Sequence, residues 1–97
     1  MKVLLACNAG MSTGIMRLKI EEEAAARGMD LTCDAIPMGE LETEVEGADI
    51  ILLGPQIRFA LNDVKAMAPD TPVMVIAAPD FGTMNAKKVV DEMLKLL

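Results

Sequence analysis

The sequence predicts an α/β fold: a three-layer, doubly wound open sheet of four parallel strands in the order 2-1-3-4, with helices on both faces. Three observations carry that expectation. Short apolar runs rich in Val, Ile and Leu recur at Val3–Ala6, Ile50–Leu53 and Val73–Ala77, each bounded by Gly, Pro, Asp or Asn, as strands buried on both faces are. Helical patterns separate these runs, and repeated strand–helix alternation requires right-handed crossovers between parallel strands. Finally, 97 residues of which 53% are hydrophobic suffice for one core without disulfides, so a single domain is expected over residues 1–97.

Taken in order, Val3–Ala6 is the first strand and, placed centrally, the one that both halves of the sheet share. The first helix is expected from about Met11 to Arg27, with Met11, Ile15, Leu18 and Ala25 as its apolar stripe, interrupted by Glu22. Gly28 suits the left-handed conformation that ends a helix. Over Asp30–Ile36, Leu31, Cys33 and Ala35 alternate with polar neighbours, as on a half-covered edge strand. Glu40, Glu42, Glu44 and Glu46 flank Leu41 and Val45, which allows one or two helical turns with a solvated acidic face. After the Ile50–Leu53 strand, Ile57, Ala60, Leu61, Val64 and Ala68 repeat at helical spacing until Pro69-Asp70 stops them. Val73–Ala77 is the fourth strand, and Pro79-Asp80-Phe81-Gly82 carries turn chemistry with Asp80 as a turn or capping residue. Ala86, Val89, Val90, Met93, Leu94 and Leu97 form the stripe of a last helix packed on the sheet.

Composition removes several classes of function. Nine Lys and Arg against fifteen Asp and Glu give a net charge of −6, the opposite of the basic surface that a nucleic-acid binder needs. The chain has no histidine, which excludes internal Ser-His and Cys-His pairs, imidazole metal sites and a phosphohistidine of its own. Cys7 and Cys33 form no C-x-x-C, so no zinc site and no redox pair is spelled out. No metal and no cofactor is expected. The residues before Cys7 are too few for a signal peptide, and no apolar run approaches the roughly 18 residues of a membrane span. A cytoplasmic location follows as the expectation.

In a 2-1-3-4 sheet the order reverses between strands one and three, and ligands bind beyond their carboxyl ends. The loops after Ala6 and Leu53 should therefore lie side by side. The first is Cys7-Asn8-Ala9-Gly10-Met11-Ser12-Thr13, where a strand passes into a helix whose leading N–H groups are unpaired and can cradle an anion. Gly10 allows close backbone approach, and Ser12 and Thr13 add hydroxyl donors. A helix dipole worth roughly 0.3–1 kcal/mol and charge-assisted hydrogen bonds of about 1.5–3 kcal/mol would bring the Cys7 thiol from about 8.5 toward neutrality, making a nucleophile without histidine. The alternative is a buried structural thiol, the common condition of free cysteine. That reading suits Cys33, which lies inside a strand with no loop or cation beside it.

The spacing also resembles the loop of small cysteine-based phosphotyrosine phosphatases, which ends in an arginine; here that position is Thr13. Lacking a planar bidentate cation, the loop can hold phosphate but stabilises a hydrolytic transition state poorly, as suits a carrier more than a hydrolase. A small phosphatase, or a non-catalytic anion-binding or thiol-sensing module, remains the alternative. The acidic pair of a receiver domain and the G-x-G-x-x-G of a dinucleotide site are absent.

The residues Cys7-Asn8-Ala9-Gly10-Met11-Ser12-Thr13, then Leu52-Leu53-Gly54-Pro55-Gln56-Ile57, then Phe81-Gly82 before Asn85, resemble the enzyme IIB component, lactose/cellobiose (chitobiose) type, of the bacterial sugar phosphotransferase system. The resemblance spans nearly the whole chain. It implies that Cys7 accepts a phosphoryl group from a phosphohistidine on the IIA component and passes it to a sugar on the membrane IIC component. It further implies that backbone amides of Asn8, Ala9, Gly10, Met11, Ser12 and Thr13 surround the phosphate. The chain departs from the family pattern in having Gly14 where serine is common, Asn8 for a smaller residue, and Phe59 and Phe81 where tyrosine is common. Arg17 and Arg58 lie near enough in the expected fold to assist or to dock a partner, with a solvated surface role as the simpler reading.

Overall fold

A computed structural model describes residues 1–7 and 10–97 of the chain, the side chains of residues 10–12 excepted. Four parallel strands, β1 (Lys2–Cys7), β2 (Thr32–Pro37), β3 (Ile50–Leu53) and β4 (Val73–Val75), form one sheet in the order β2-β1-β3-β4. The expected topology is met. The helices are α1 (Gly10–Ala26), α2 (Leu41–Glu44), α3 (Leu61–Met67), α4 (Ala78–Gly82) and α5 (Ala86–Leu94), with 3-10 turns at Met38–Glu40 and Pro55–Ala60.

Period-two alternation sends successive strand side chains to opposite faces. Val3, Leu5, Ile50 and Leu52 pack with Met16, Ile20 and Ala24 of α1 and Val89, Val90 and Met93 of α5. Leu4, Ala6, Ile51 and Leu53 pack with Leu41 of α2 and Val64 of α3. Both central strands are buried on both faces, which is why they read as continuous apolar runs rather than alternating ones.

Helix α1 corrects the sequence reading. Its sheet-facing side is Thr13, Met16, Ile20 and Ala24, all buried, whereas Ile15 and Leu18 are about half exposed (47% and 51%) and Ala25 is exposed. Two apolar stripes compete at helical spacing, and the one that wins places the paired Arg17 and Glu21 over the edge of the sheet. The cap is as expected: Gly28 has φ +75°, Met29 N–H donates to Ala24 O (2.9 Å) and Gly28 N–H to Ala25 O (3.0 Å), the paired bonds of a Schellman end.

After β3 the structure differs from expectation in three places. Strand β4 ends at Val75, and Ala78–Gly82 is a short helix rather than a turn, with Pro79 in its first turn and Phe81 buried. Proline fits there because its missing N–H would have no helical partner. The cap of α5 is Asn85, whose Oδ1 accepts from Lys88 N–H (3.2 Å), while Asp80 contributes its carbonyl to Asn85 N–H (2.8 Å). Helix α5 stops at Leu94, and Leu94 and Leu97 are partly exposed (40% and 49%). At the other junction, the helical pattern before Pro69 is divided into the 3-10 turns and α3, with Ile57 outside helical dihedrals (φ −117°, ψ 26°).

Candidate functional site

Cys7 is the last residue of β1, beside the carboxyl end of β3 and before the first turn of α1. Ala6 pairs with Leu53, and one step further Gly54 N–H donates to Ala6 O (3.0 Å). The ladder therefore runs one residue past β3 and brings Gly54 level with Cys7. The thiol is 5% exposed.

Beyond Gly54 the chain turns at once. Pro55 opens the 3-10 segment, Ile57 N–H donates to Gly54 O (3.1 Å), and the Ile57 side chain is buried among the α3-side core. With Gly54 tied to β1 and Ile57 anchored beneath, Gln56 is left at the apex and folds back. Its amide oxygen accepts from the Cys7 thiol, Sγ to Oε1 3.8 Å, a weak sulfur hydrogen bond. Gly54 has ordinary extended dihedrals (φ −62°, ψ 151°). Its lack of a side chain matters for space instead: a Cβ there would sit 2.8 Å from Gln56 Oε1 and 3.3 Å from Cys7 Sγ.

Of the residues singled out in the sequence, Cys7 lies at the predicted strand end and Thr13 is buried in the first turn of α1. Gly10, Met11 and Ser12 begin that helix, and their side chains lie outside the described residues, as Asn8 and Ala9 do altogether. Arg17 is not directed to Cys7: its Nη1 donates to Glu21 Oε1 (2.9 Å) and to Cys33 O (3.4 Å). Arg58 and Phe59 are exposed on the 3-10 segment, Phe59 by 79%. Asp80 lies at the far edge of the sheet, lining a groove with Met74, Ile76, Lys88 and Glu92. Among the described residues, no three His, Cys, Asp or Glu side chains converge as metal ligands.

Gln56 is the site residue that sequence reasoning missed. The expectation that the loops after Ala6 and Leu53 adjoin was enough to bring Gly54-Pro55-Gln56 beside Cys7, but the return of the amide onto the sulfur depends on the Gly54–Ile57 turn.

Cys33 differs from Cys7 in position, lying inside a strand rather than at its end beside a loop. It is fully buried within β2, and burial first, then the Glu21 carboxylate, push its thiol up from 9.0 to about 12. The structural reading of this residue holds.

Fold and site together define a doubly wound α/β protein built around a cysteine at the carboxyl end of a central strand. Residues 2–92 match the family described as the PTS system, Lactose/Cellobiose specific IIB subunit. The chain belongs to that family. It is 35% identical over 94 residues to the PTS system galactose-specific EIIB component of Lactococcus lactis subsp. cremoris, covering 90% of this chain and 87% of the relative. It is 31% identical to the oligo-beta-mannoside-specific EIIB component of Bacillus subtilis, covering 99% and 95%. Among solved structures, the cellobiose-specific IIB component from Borrelia burgdorferi superposes with a TM-score of 0.74 at 36% identity, over 94% of this chain and 85% of that one. The lactose-specific IIB domain from Streptococcus pneumoniae gives 0.86 at 18% identity over 99% and 96%, a likeness of fold. The protein is a phosphotransferase of the sugar phosphotransferase system, in which EIIB components work with IIA and IIC components. Among the described residues no helix is long and apolar enough to cross a membrane.

Proposed function

We propose that this protein is a phosphocysteine carrier: Cys7 takes a phosphoryl group from a phosphohistidine on the IIA component and delivers it to a sugar bound by the membrane IIC component. The observation that carries this reading is the position of Cys7 at the end of β1, between the start of α1 and the Gly54-Pro55-Gln56 turn. In the transfer, an S–P bond forms as the N–P bond of the donor breaks, and the thiol proton ends on the vacated imidazole nitrogen. Little covalent work is asked of the carrier beyond positioning and charge stabilisation. The chain carries no histidine, which fits a protein whose donor imidazole belongs to its partner. Backbone amides from Asn8 to Thr13 are the proposed phosphate cradle, with no metal or cofactor. The protein works on the cytoplasmic side, at the membrane only while docked on IIC, as a single domain.

The sugar is drawn from those of the relatives, which are galactose-, cellobiose- and oligo-beta-mannoside-specific components. The test is intact-mass measurement after incubation with histidine-phosphorylated IIA protein of a cellobiose-specific system. One phosphate is expected on the wild type and on Cys33→Ser, and none on Cys7→Ser. A phosphate that survives Cys7→Ser overturns the proposal, and so does release of phosphate from an aryl phosphate with no partner present, which marks a hydrolase.

A further inference from the structure

We infer that Gln56 is a positioning residue for Cys7, its amide holding the sulfur through both of its states. The inference rests on the proposed phosphocysteine reading and assigns a side chain to it. Three features of the site point the same way. Gln56 is exposed, yet its Oε1 turns inward to accept from the thiol at 3.8 Å. The turn that presents it is pinned at both ends, by Gly54 N–H on Ala6 O and by the buried Ile57. And the space into which the amide folds exists only because residue 54 has no Cβ.

A primary amide suits a group that alternates between thiol and anion. Its carbonyl accepts from S–H in the resting form. Once the proton has left with the donor's imidazole, rotation of the amide presents its NH₂ to the sulfur or to a phosphoryl oxygen. The hydrogen bond to the charged form is the stronger of the two, so the net effect favours the thiolate and its phosphorylated product. A hydrocarbon at this position offers neither interaction, and a carboxylate offers the first but repels the second state.

The proposal is tested on two axes with Gln56→Leu, Gln56→Glu and Gly54→Ala. The first is the pH profile of Cys7 alkylation by iodoacetamide between about pH 6 and pH 10, with labelling assigned by peptide mass. The expected result is a profile whose midpoint moves upward in Gln56→Leu and by at least about one pH unit in Gln56→Glu, a tenfold loss of thiolate at neutral pH. Gly54→Ala, which pushes the amide away while keeping it, moves the midpoint in the same direction as Gln56→Leu. The second axis is single-turnover transfer from histidine-phosphorylated IIA protein of a cellobiose-specific system. There the rate falls at least about tenfold in Gln56→Leu, while the donor concentration at half-maximal rate stays within about twofold, since positioning acts on the transfer step rather than on docking.

Unmoved midpoints in all three variants, or equal transfer rates in wild type and Gln56→Leu, overturn the assignment of Gln56 while leaving the carrier function standing. A wild-type protein that takes no phosphoryl group onto Cys7 overturns the carrier function itself, and with it this inference.

Discussion

Burial and the Glu21 carboxylate hold the Cys33 thiol at about 12, against 9.0 for a free thiol, and that difference ties the stability of the protein to alkaline pH. Below about pH 9 both folded and unfolded chains keep this proton. Above it the unfolded chain releases the proton and the folded one does not, so stability is present below the unfolded value and is lost as pH rises from 9.0 toward about 12. The loss is on the order of a few kcal/mol when the window has been crossed. Urea denaturation at neutral pH and at about pH 11 should show it, and Cys33→Ala should lose much less over the same interval. Equal alkaline losses in the two proteins would remove Cys33 as the cause. The places of both cysteines were legible in the sequence, Cys7 at a strand end and Cys33 buried within one. Gln56 was not, because its contact joins positions 49 apart in sequence and depends on a turn whose direction is set by buried Ile57.

Helix α1 and strand β2 meet through polar as well as apolar groups, and this is where element-level reading of the sequence went astray. Thr32 N–H donates inward to Met1 O (2.9 Å), so the backbone of Cys33 faces outward from the sheet. Glu21 Oε2 accepts from Cys33 N–H (2.9 Å), and Arg17, bonded to Glu21, donates to Cys33 O. An open edge that could pair with another chain is thereby occupied within the molecule. Apolar periodicity alone does not single out this face, since Arg17 and Glu21 flank Met16 and Ile20 and the stripe through Ile15 and Leu18 competes with it. Strands β1 and β3, made of contiguous apolar residues, were fixed to within a residue. The hydrogen bond from Cys33 N–H, then the Arg17 guanidinium, holds the Glu21 carboxyl below its usual 4.5. This stabilisation is present above pH 4.5 and is lost as pH falls through the lowered folded value. Glu21→Ala leaves a backbone N–H without its partner and should cost about 1–3 kcal/mol at neutral pH. Glu21→Gln keeps an acceptor and should lose less, with a weaker dependence on acid. Urea midpoints at neutral pH and near pH 3.5 separate these outcomes. A Glu21→Ala protein as stable as the wild type would mean the edge is satisfied by water instead.

At the scale of the molecule, the sheet divides the apolar residues into two sets, one on each face, with β1 and β3 contributing buried side chains to both. Ile20 belongs to the α1 and α5 side, and Ile57 to the α2 and α3 side, each almost fully buried. Topology was the most legible feature, because parallel strands with crossover helices leave few arrangements for four strands. Which residues close each face depended on packing that a single sequence does not display. The two faces share no side chain but share every hydrogen bond of the central strands, which makes opposite demands on energetics and cooperativity. Ile20→Val and Ile57→Val each remove one methylene and should each cost about 0.5–1.5 kcal/mol. With no common partner, the double variant should lose the sum of the two to within about 0.5 kcal/mol. Unfolding should nevertheless remain a single transition, since neither helical layer can leave without exposing strands that the other still covers. Urea titrations followed at once by far-ultraviolet circular dichroism and by labelling of Cys33 report the whole fold and the α1 side separately. Coincident curves in all four proteins are expected. Early labelling of Cys33 in Ile20→Val, ahead of the loss of helix signal, would show that the α1 and α5 layer opens alone, and that the site at the end of β1 is carried by the other half of the molecule.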